Sequence, residues 1–191
     1  KKVLLIDSDM RRGKQHTIFN ITNSKGLSNI IENGDANINL AEYINESIIP
    51  NLDIITNGSA YIDYSKLLFS DSMEQIINIA KMQYQYIIID GTPNSLVADD
   101  MMISNLVDST MLVVKYDNTS SKELKKIKTR IERAGGNVMG VVLNKIPGIN
   151  KKYEQSYYTY NKNSSLQVMN NKLKIAEDLK GRVKHYRWLY L

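Results

Sequence analysis

Hydrophobic positions along this chain fall into two patterns that alternate. Short apolar runs at Val3–Ile6, Tyr86–Ile89, Met111–Lys115 and Val138–Asn144, with an extended stretch at Leu52–Thr56, predict β-strands. Runs without polar alternation are how strands buried on both faces of a parallel sheet read. Between them, apolar residues recur at steps of three and four. Met73, Ile76, Ile77 and Ala80 follow Asp71-Ser72-Met73-Glu74, and Leu124, Ile127, Ile131 and Ala134 follow Ser120-x-x-Glu123. Both openings have the spacing of a helix capping box, and Gly135-Gly136 stops the second helix. Shorter helical pieces are predicted from Gly26-Leu27-Ser28 to Ile31, ended by an Asn33-Gly34 turn, at Leu40–Ile44, and around Val97–Leu106. Residues 13–25 are polar and read as irregular, and Asn57-Gly58 reads as a loop because no alternating strand follows it.

Strands separated by helices imply right-handed βαβ crossovers. The expected fold class is therefore α/β, a parallel sheet flanked by helices on both faces. Residues 1–148 would form this core, 149–165 a polar flexible segment rich in tyrosine, and 166–191 a basic amphipathic tail. The tail reading rests on Leu166, Met169, Leu173, Ala176, Leu179, Val183, Tyr186 and Tyr190, which recur at helical steps. Such a helix can lie on an anionic membrane surface or pack against the domain or another subunit; the sequence leaves both open.

Candidate chemistry sits where two of the strands end. Tyr86–Ile89 runs into Asp90 and then breaks at Gly91 and Pro93. Open α/β sheets bind ligands at the carboxyl ends of their strands. A carboxylate there is a hard oxygen ligand for a Mg2+ that also touches nucleotide phosphates. Val3–Ile6 likewise runs into Asp7-Ser8-Asp9, followed by Arg11 and Arg12. In extended backbone, residues i and i+2 point the same way, so Asp7 and Asp9 are expected to address one site. Arginines nearby suit phosphate oxygens or tether the carboxylates. One acid-tipped strand reads equally well as a turn; two favour the metal reading.

Composition narrows the class. A chain of 191 residues with 42% hydrophobic content supports one well-cored domain plus an appendage. No apolar run approaches the ~18–20 residues of a spanning helix. The absence of cysteine excludes disulfides and thiolate metal sites, and His16 and His185 alone do not make a zinc site. The net charge of +5 is concentrated in the tail, where Lys172, Lys174, Lys180, Arg182, Lys184 and Arg187 face only Glu177 and Asp178. A nearly neutral body argues against a nucleic-acid-binding face.

The stretch Leu4-Leu5-Ile6-Asp7-Ser8-Asp9-Met10-Arg11-Arg12 resembles the second Walker-type motif of bacterial tyrosine kinases, and Tyr86–Pro93 resembles their Walker B strand. These kinases are deviant P-loop ATPases, related to cell-division and plasmid-partition ATPases. The resemblance covers most of residues 1–165 and continues through Gly26-Leu27-Ser28, Pro50-Asn51-Leu52-Asp53, Val97-Ala98-Asp99 and Gly140-Val141-Val142-Leu143-Asn144. It implies an ATP- and Mg2+-dependent kinase of capsule or exopolysaccharide synthesis. Asp7 and Asp90 would hold the metal, Asp9 would position the attacking tyrosine or take its proton, and Arg11 and Arg12 would meet phosphate charge or a neighbouring protomer. Asn144 would lie near the nucleotide base; a strand-capping role fits it equally. It further implies a ring-shaped homo-oligomer, a transmembrane activator and a place in the cytoplasm at the inner face of the membrane.

Tyr153, Tyr157, Tyr158 and Tyr160 place four of the twelve tyrosines within eight residues, with no apolar periodicity to bury them. The resemblance makes them an autophosphorylation cluster; the plainer alternative is a sticky polar linker. The large departure is the phosphate loop. No G-x-x-x-x-G-K-[ST] occurs in these 191 residues, so the expectation is a fold lacking its first strand, loop and helix, with a gap beside Asp90. A fragment is favoured over a degenerate paralogue. Rival functions are a partition- or division-type ATPase switch and a non-catalytic scaffold. Without the loop's amide nest and lysine, this chain by itself is expected not to bind ATP·Mg2+ tightly. Calorimetric titration of the 191-residue chain should show no micromolar binding; finding it would show that other residues supply the phosphate cradle.

Overall fold

The computed structural model describes residues 1–34, 38–60, 71–92 and 103–147, together with the backbone of 185–190. Strand β1 (Val3–Asp7) lies between β3 (Leu52–Ile55) and β4 (Tyr86–Asp90), parallel to both. A two-residue strand, β2 (Asn45–Glu46), runs antiparallel along the outer side of β3. Strands β5 (Ser109–Lys115) and β6 (Val138–Asn144) form a second parallel pair. Strand β7 (His185–Tyr190) joins the two groups, pairing in parallel with β4 on one side and β5 on the other. The order across the sheet is β2-β3-β1-β4-β7-β5-β6. Six strands share one direction, so their carboxyl ends form a single edge.

Helices α1 (Gln15–Phe19), α2 (Leu27–Asn33), α3 (Ser72–Gln83) and α4 (Ser121–Arg133) connect the strands, with a 3₁₀ turn at Leu40–Glu42. Residues 103–106 are also helical. The main core is one face of β1, β3 and β4 packed on α2 and α3. Leu4, Ile6, Ile55, Ile87 and Ile89 meet Leu27, Ile30, Ile31, Met73, Ile76, Ile77 and Ala80 there. A smaller core joins Leu112 and Val114 of β5 to Ile127 and Ile131 of α4. The predicted helical stripes are thus the packed faces.

Several expectations change. Strands β1 and β4 are fully buried on one face only, since Val3, Leu5, Tyr86 and Ile88 are partly exposed. Strands β3 and β5 are buried on both faces over part of their length, at Ile54 and Ile55 and at Leu112, Val113 and Val114. Strand β6, expected in the core, is the sheet's edge: Val141, Val142 and Leu143 are 46%, 39% and 49% exposed. Its apolar run reflects strand propensity rather than burial, which a run by itself cannot distinguish. The polar stretch after Arg12 contains helix α1, which buries no residue and so left no apolar stripe to read. Ser120 caps α4 by accepting from the Glu123 N–H at 3.2 Å, whereas Asp71 makes no side-chain cap on α3.

The expected gap beside Asp90 is filled by β7, and residues 185–190 are extended rather than the end of a helix. Two strand edges, β4 and β5, each offer a full row of backbone groups. Pairing with both satisfies the segment more completely than a frayed helical end just beyond Gly181 would. The rest of the expected tail helix, most of 97–106, Pro93 and the four clustered tyrosines lie outside the described residues.

At the carboxyl edge, the loop after β3 is pressed onto the start of α2. Leu27 N–H donates to the Thr56 carbonyl at 2.8 Å, and the Asn29 side chain accepts from Gly26 N–H at 3.0 Å. A Cβ on Gly26 would fall 2.4 Å from both Gly58 N and Thr56 O, which are backbone atoms that cannot swing away. Gly34 ends the same helix at φ +62 with nothing within 4 Å of a Cβ. Gly34→Ala should therefore cost about 1–2 kcal/mol of backbone strain, whereas Gly26→Ala must push two segments apart. Denaturant unfolding should rank Gly26→Ala clearly below Gly34→Ala; equal midpoints would refute the close approach.

Candidate active site

Parallel pairing of β1 with β4 is in register from Val3↔Tyr86 to Asp7↔Asp90. Two carboxylates on adjacent strands therefore reach the same edge at the same level. Ser8 locks this end, donating to the Asp90 carbonyl through its N–H at 2.9 Å and its hydroxyl at 2.7 Å. The chain then folds back over the acids. Asp7 Oδ1 accepts from Asp9 N–H at 3.2 Å, and its Oδ2 accepts from Gln15 N–H at 3.1 Å. The Gln15 side chain crosses to the other strand, where Nε2 donates to Asp90 Oδ2 at 2.6 Å.

Asp9 behaves differently from the alternation argument. Strand β1 ends at Asp7, so the period of two does not extend to Asp9. Its Oδ1 accepts from the Arg11 and Arg12 N–H groups at 3.1 and 2.9 Å, capping its own loop. Asp9 remains tied to Asp7 through its backbone, and both are buried, at 6% and 0% exposure. The Arg11 and Arg12 side chains lie at the surface. Asn144 ends β6 on the same edge but three strands from β4, about 14 Å by ordinary strand spacing. It is exposed, and its side-chain oxygen accepts from Lys145 N–H at 2.8 Å. Gln15 and Ser8 belong to the site, although neither carries a sequence signal. Their roles come from the loop's return across the strand ends.

The electrostatics are those of a crowded acid site. Burial raises the Asp7 carboxyl from its ordinary 3.8 to about 6, opposed by the Gln15 N–H bond and reinforced by the negative charge of Asp90. A divalent cation would reverse this, because an opposite charge within a few ångströms favours the ionised form. Among the described residues, no group of three or more His, Cys, Asp or Glu is arranged to ligate an ion. The donor set still fits Mg2+, which takes one or two protein carboxylates and completes its shell with water and phosphate oxygens.

Comparison with known proteins identifies the family. The chain is 37% identical over 159 residues to CapB of Staphylococcus aureus, named as a tyrosine-protein kinase, covering 83% of this chain and 67% of that protein. The chain belongs to the bacterial tyrosine-protein kinase family. It is also 32% identical over 157 residues to the tyrosine-protein kinase Etk of Escherichia coli K12, covering 82% of this chain and 21% of Etk. The chain thus spans about a fifth of the larger relatives. Among solved structures, the kinase domain of Escherichia coli ETK matches with a TM-score of 0.69 and 32% identity, over 76% of this chain and 56% of that one. The chimerical protein CapA2B2 matches with a TM-score of 0.67 and 34% identity, over 76% and 63%. A ParA family ATPase from Chlorobium tepidum, at TM-score 0.50 and 19% identity over 78% and 63%, shares the fold. No protein-family profile matches the chain.

The raised carboxyl of this kinase-family chain has a measurable consequence. The folded chain holds the Asp7 proton up to about pH 6, whereas the unfolded chain releases it near 3.8. Asp7's contribution to stability is therefore full below about pH 4 and is lost as pH rises through 6. Asp7→Asn removes the buried charge and should stabilise the metal-free chain at pH 7.5, by up to about 3 kcal/mol. Loss of one acceptor oxygen will reduce that gain. The advantage should vanish below pH 4 in denaturant titrations; an advantage independent of pH would show that Asp7 is not held protonated.

Proposed function

We propose that this chain is the acidic, Walker B-bearing part of a protein-tyrosine kinase that phosphorylates itself and regulates capsule or exopolysaccharide synthesis. The observation that carries the reading is the in-register pairing of Asp7 with Asp90 at the carboxyl edge of a parallel sheet, in a chain whose relatives are named as tyrosine kinases. Asp7 and Asp90 would hold and orient Mg2+ and its waters. Asp9, fixed by two backbone N–H groups, would accept the proton of the attacking tyrosine. The tyrosyl oxygen forms its bond to the γ-phosphorus as the bond to the β–γ bridging oxygen breaks, and ADP leaves.

Positioning and electrostatics dominate such catalysis, so this chain's acids do not suffice without a phosphate loop. Activity is proposed only together with one. Arg11 and Arg12, at the surface, suit phosphate charge or contact with a neighbouring protomer, and Asn144 would face the base side. Tyr153, Tyr157, Tyr158 and Tyr160 would serve as acceptors tethered near a neighbour's site, where a short link keeps their local concentration high. Each phosphate adds about −1.5 to −2 charge, which would repel the segment from an acidic site and loosen a ring. A transmembrane activator and a location at the inner face of the membrane complete the proposal.

The test is peptide mapping of this chain supplied with a phosphate loop, after incubation with ATP and Mg2+. Phosphotyrosine should fall mainly between Tyr153 and Tyr160. Changing all four to Phe should remove most of the label while leaving ATP binding intact, and Asp90→Asn should abolish labelling with the fold retained. ATP hydrolysis without any phosphotyrosine would instead mark a partition-type ATPase switch.

A further inference from the structure

Gln15 links the two candidate metal-binding acids, one through its backbone and the other through its side chain, and neither family motif contains it. Its backbone N–H holds Asp7 Oδ2 at 3.1 Å while its side-chain amide holds Asp90 Oδ2 at 2.6 Å. A neutral amide can donate to a carboxylate but supplies no full charge, so the two acids stay in register with their repulsion only partly relieved. The placement of Gln15 is not loose. Two residues earlier, a Cβ on Gly13 would meet the Asn57 side chain at 2.5 Å and the Asp9 carbonyl at 2.7 Å, so the segment entering α1 lies flat against the site.

The oxygen that Gln15 occupies on Asp90 is one that a cation on these acids would take. The amide takes one of that oxygen's two lone-pair directions and draws on its charge, so a cation approaching Oδ2 competes with the Gln15 N–H for the same atom. We infer that Gln15 is a positioning residue that spaces Asp7 and Asp90 in the metal-free protein and competes with a divalent cation for Asp90 Oδ2. It thereby sets the cation concentration at which the site fills. The inference rests on the reading that these two acids hold Mg2+.

The experiment uses the 191-residue chain without nucleotide. It measures thermal unfolding against Mg2+ concentration and free Mn2+ by electron paramagnetic resonance. Gln15→Ala keeps the backbone N–H and removes the amide. It should lower the melting temperature in chelator, and half-saturation by Mn2+ should come at about a tenfold lower concentration, the equivalent of one hydrogen bond to a charged group. Gln15→Lys places a permanent ammonium on Asp90 and should make melting indifferent to Mg2+. If Gln15→Ala lowers the melting temperature equally at every Mg2+ concentration, or leaves Mn2+ affinity unchanged, the residue is only a structural brace and the inference fails. Asp90→Asn separates the two readings. Should it respond to the cations just as the unaltered chain does, the metal assignment itself is wrong and both ideas fall together.

Discussion

Parallel pairing of β1 and β4 is the constraint on which the site depends. Hydrogen bonding between neighbouring strands fixes register, and register here sets Asp7 opposite Asp90. The apolar residues behind them hold that register firmly. A slip of one position would turn Leu4 and Ile6 out of the core that Ile87 and Ile89 share. The energy that packs the interior is thus what forces two like charges together at the rim. The chain meets the resulting electrostatic cost locally, with backbone and amide donors from residues 9–15 laid across the carboxylates.

The larger body is assembled less evenly. One core lies under β1, β3 and β4, and a smaller one under β5; among the described residues, β7 alone pairs to both halves of the sheet. A strand between two parallel neighbours ordinarily reads as continuously apolar, yet 185–190 includes His185 and Arg187. That position is supported by backbone pairing on both sides more than by composition. Joining the halves aligns all the parallel strand ends in one edge, with the Asn144 end of β6 on the same edge as the acids.

The acid pair also connects stability with chemistry. A carboxyl raised to about 6 by burial ionises less readily than an exposed one, and a dication beside it would lower that cost. The backbone N–H of Gln15 moderates that cost in the meantime.

Some of this was determined by sequence alone. Apolar runs located β1, β3, β4, β5 and β6 to within a residue or two, and stripes at helical spacing identified the buried faces of α3 and α4, because burial on one side leaves a period that any reader of the chain can count. Asp7 and Asp90 were legible for the same reason, as charges ending such runs. Other features were settled only in three dimensions. The edge position of β6, the strand at 185–190 and the neighbours of β7 depend on partners distant in sequence, and an apolar run is the same string whether its face is covered or open. The turning of Asp9 onto its own loop and the bridge made by Gln15 come from where a polar, stripe-free segment returns across two strand ends. Hydrophobic patterning records which side of an element is buried; which polar groups meet at its end is decided by the packing that brings the ends together.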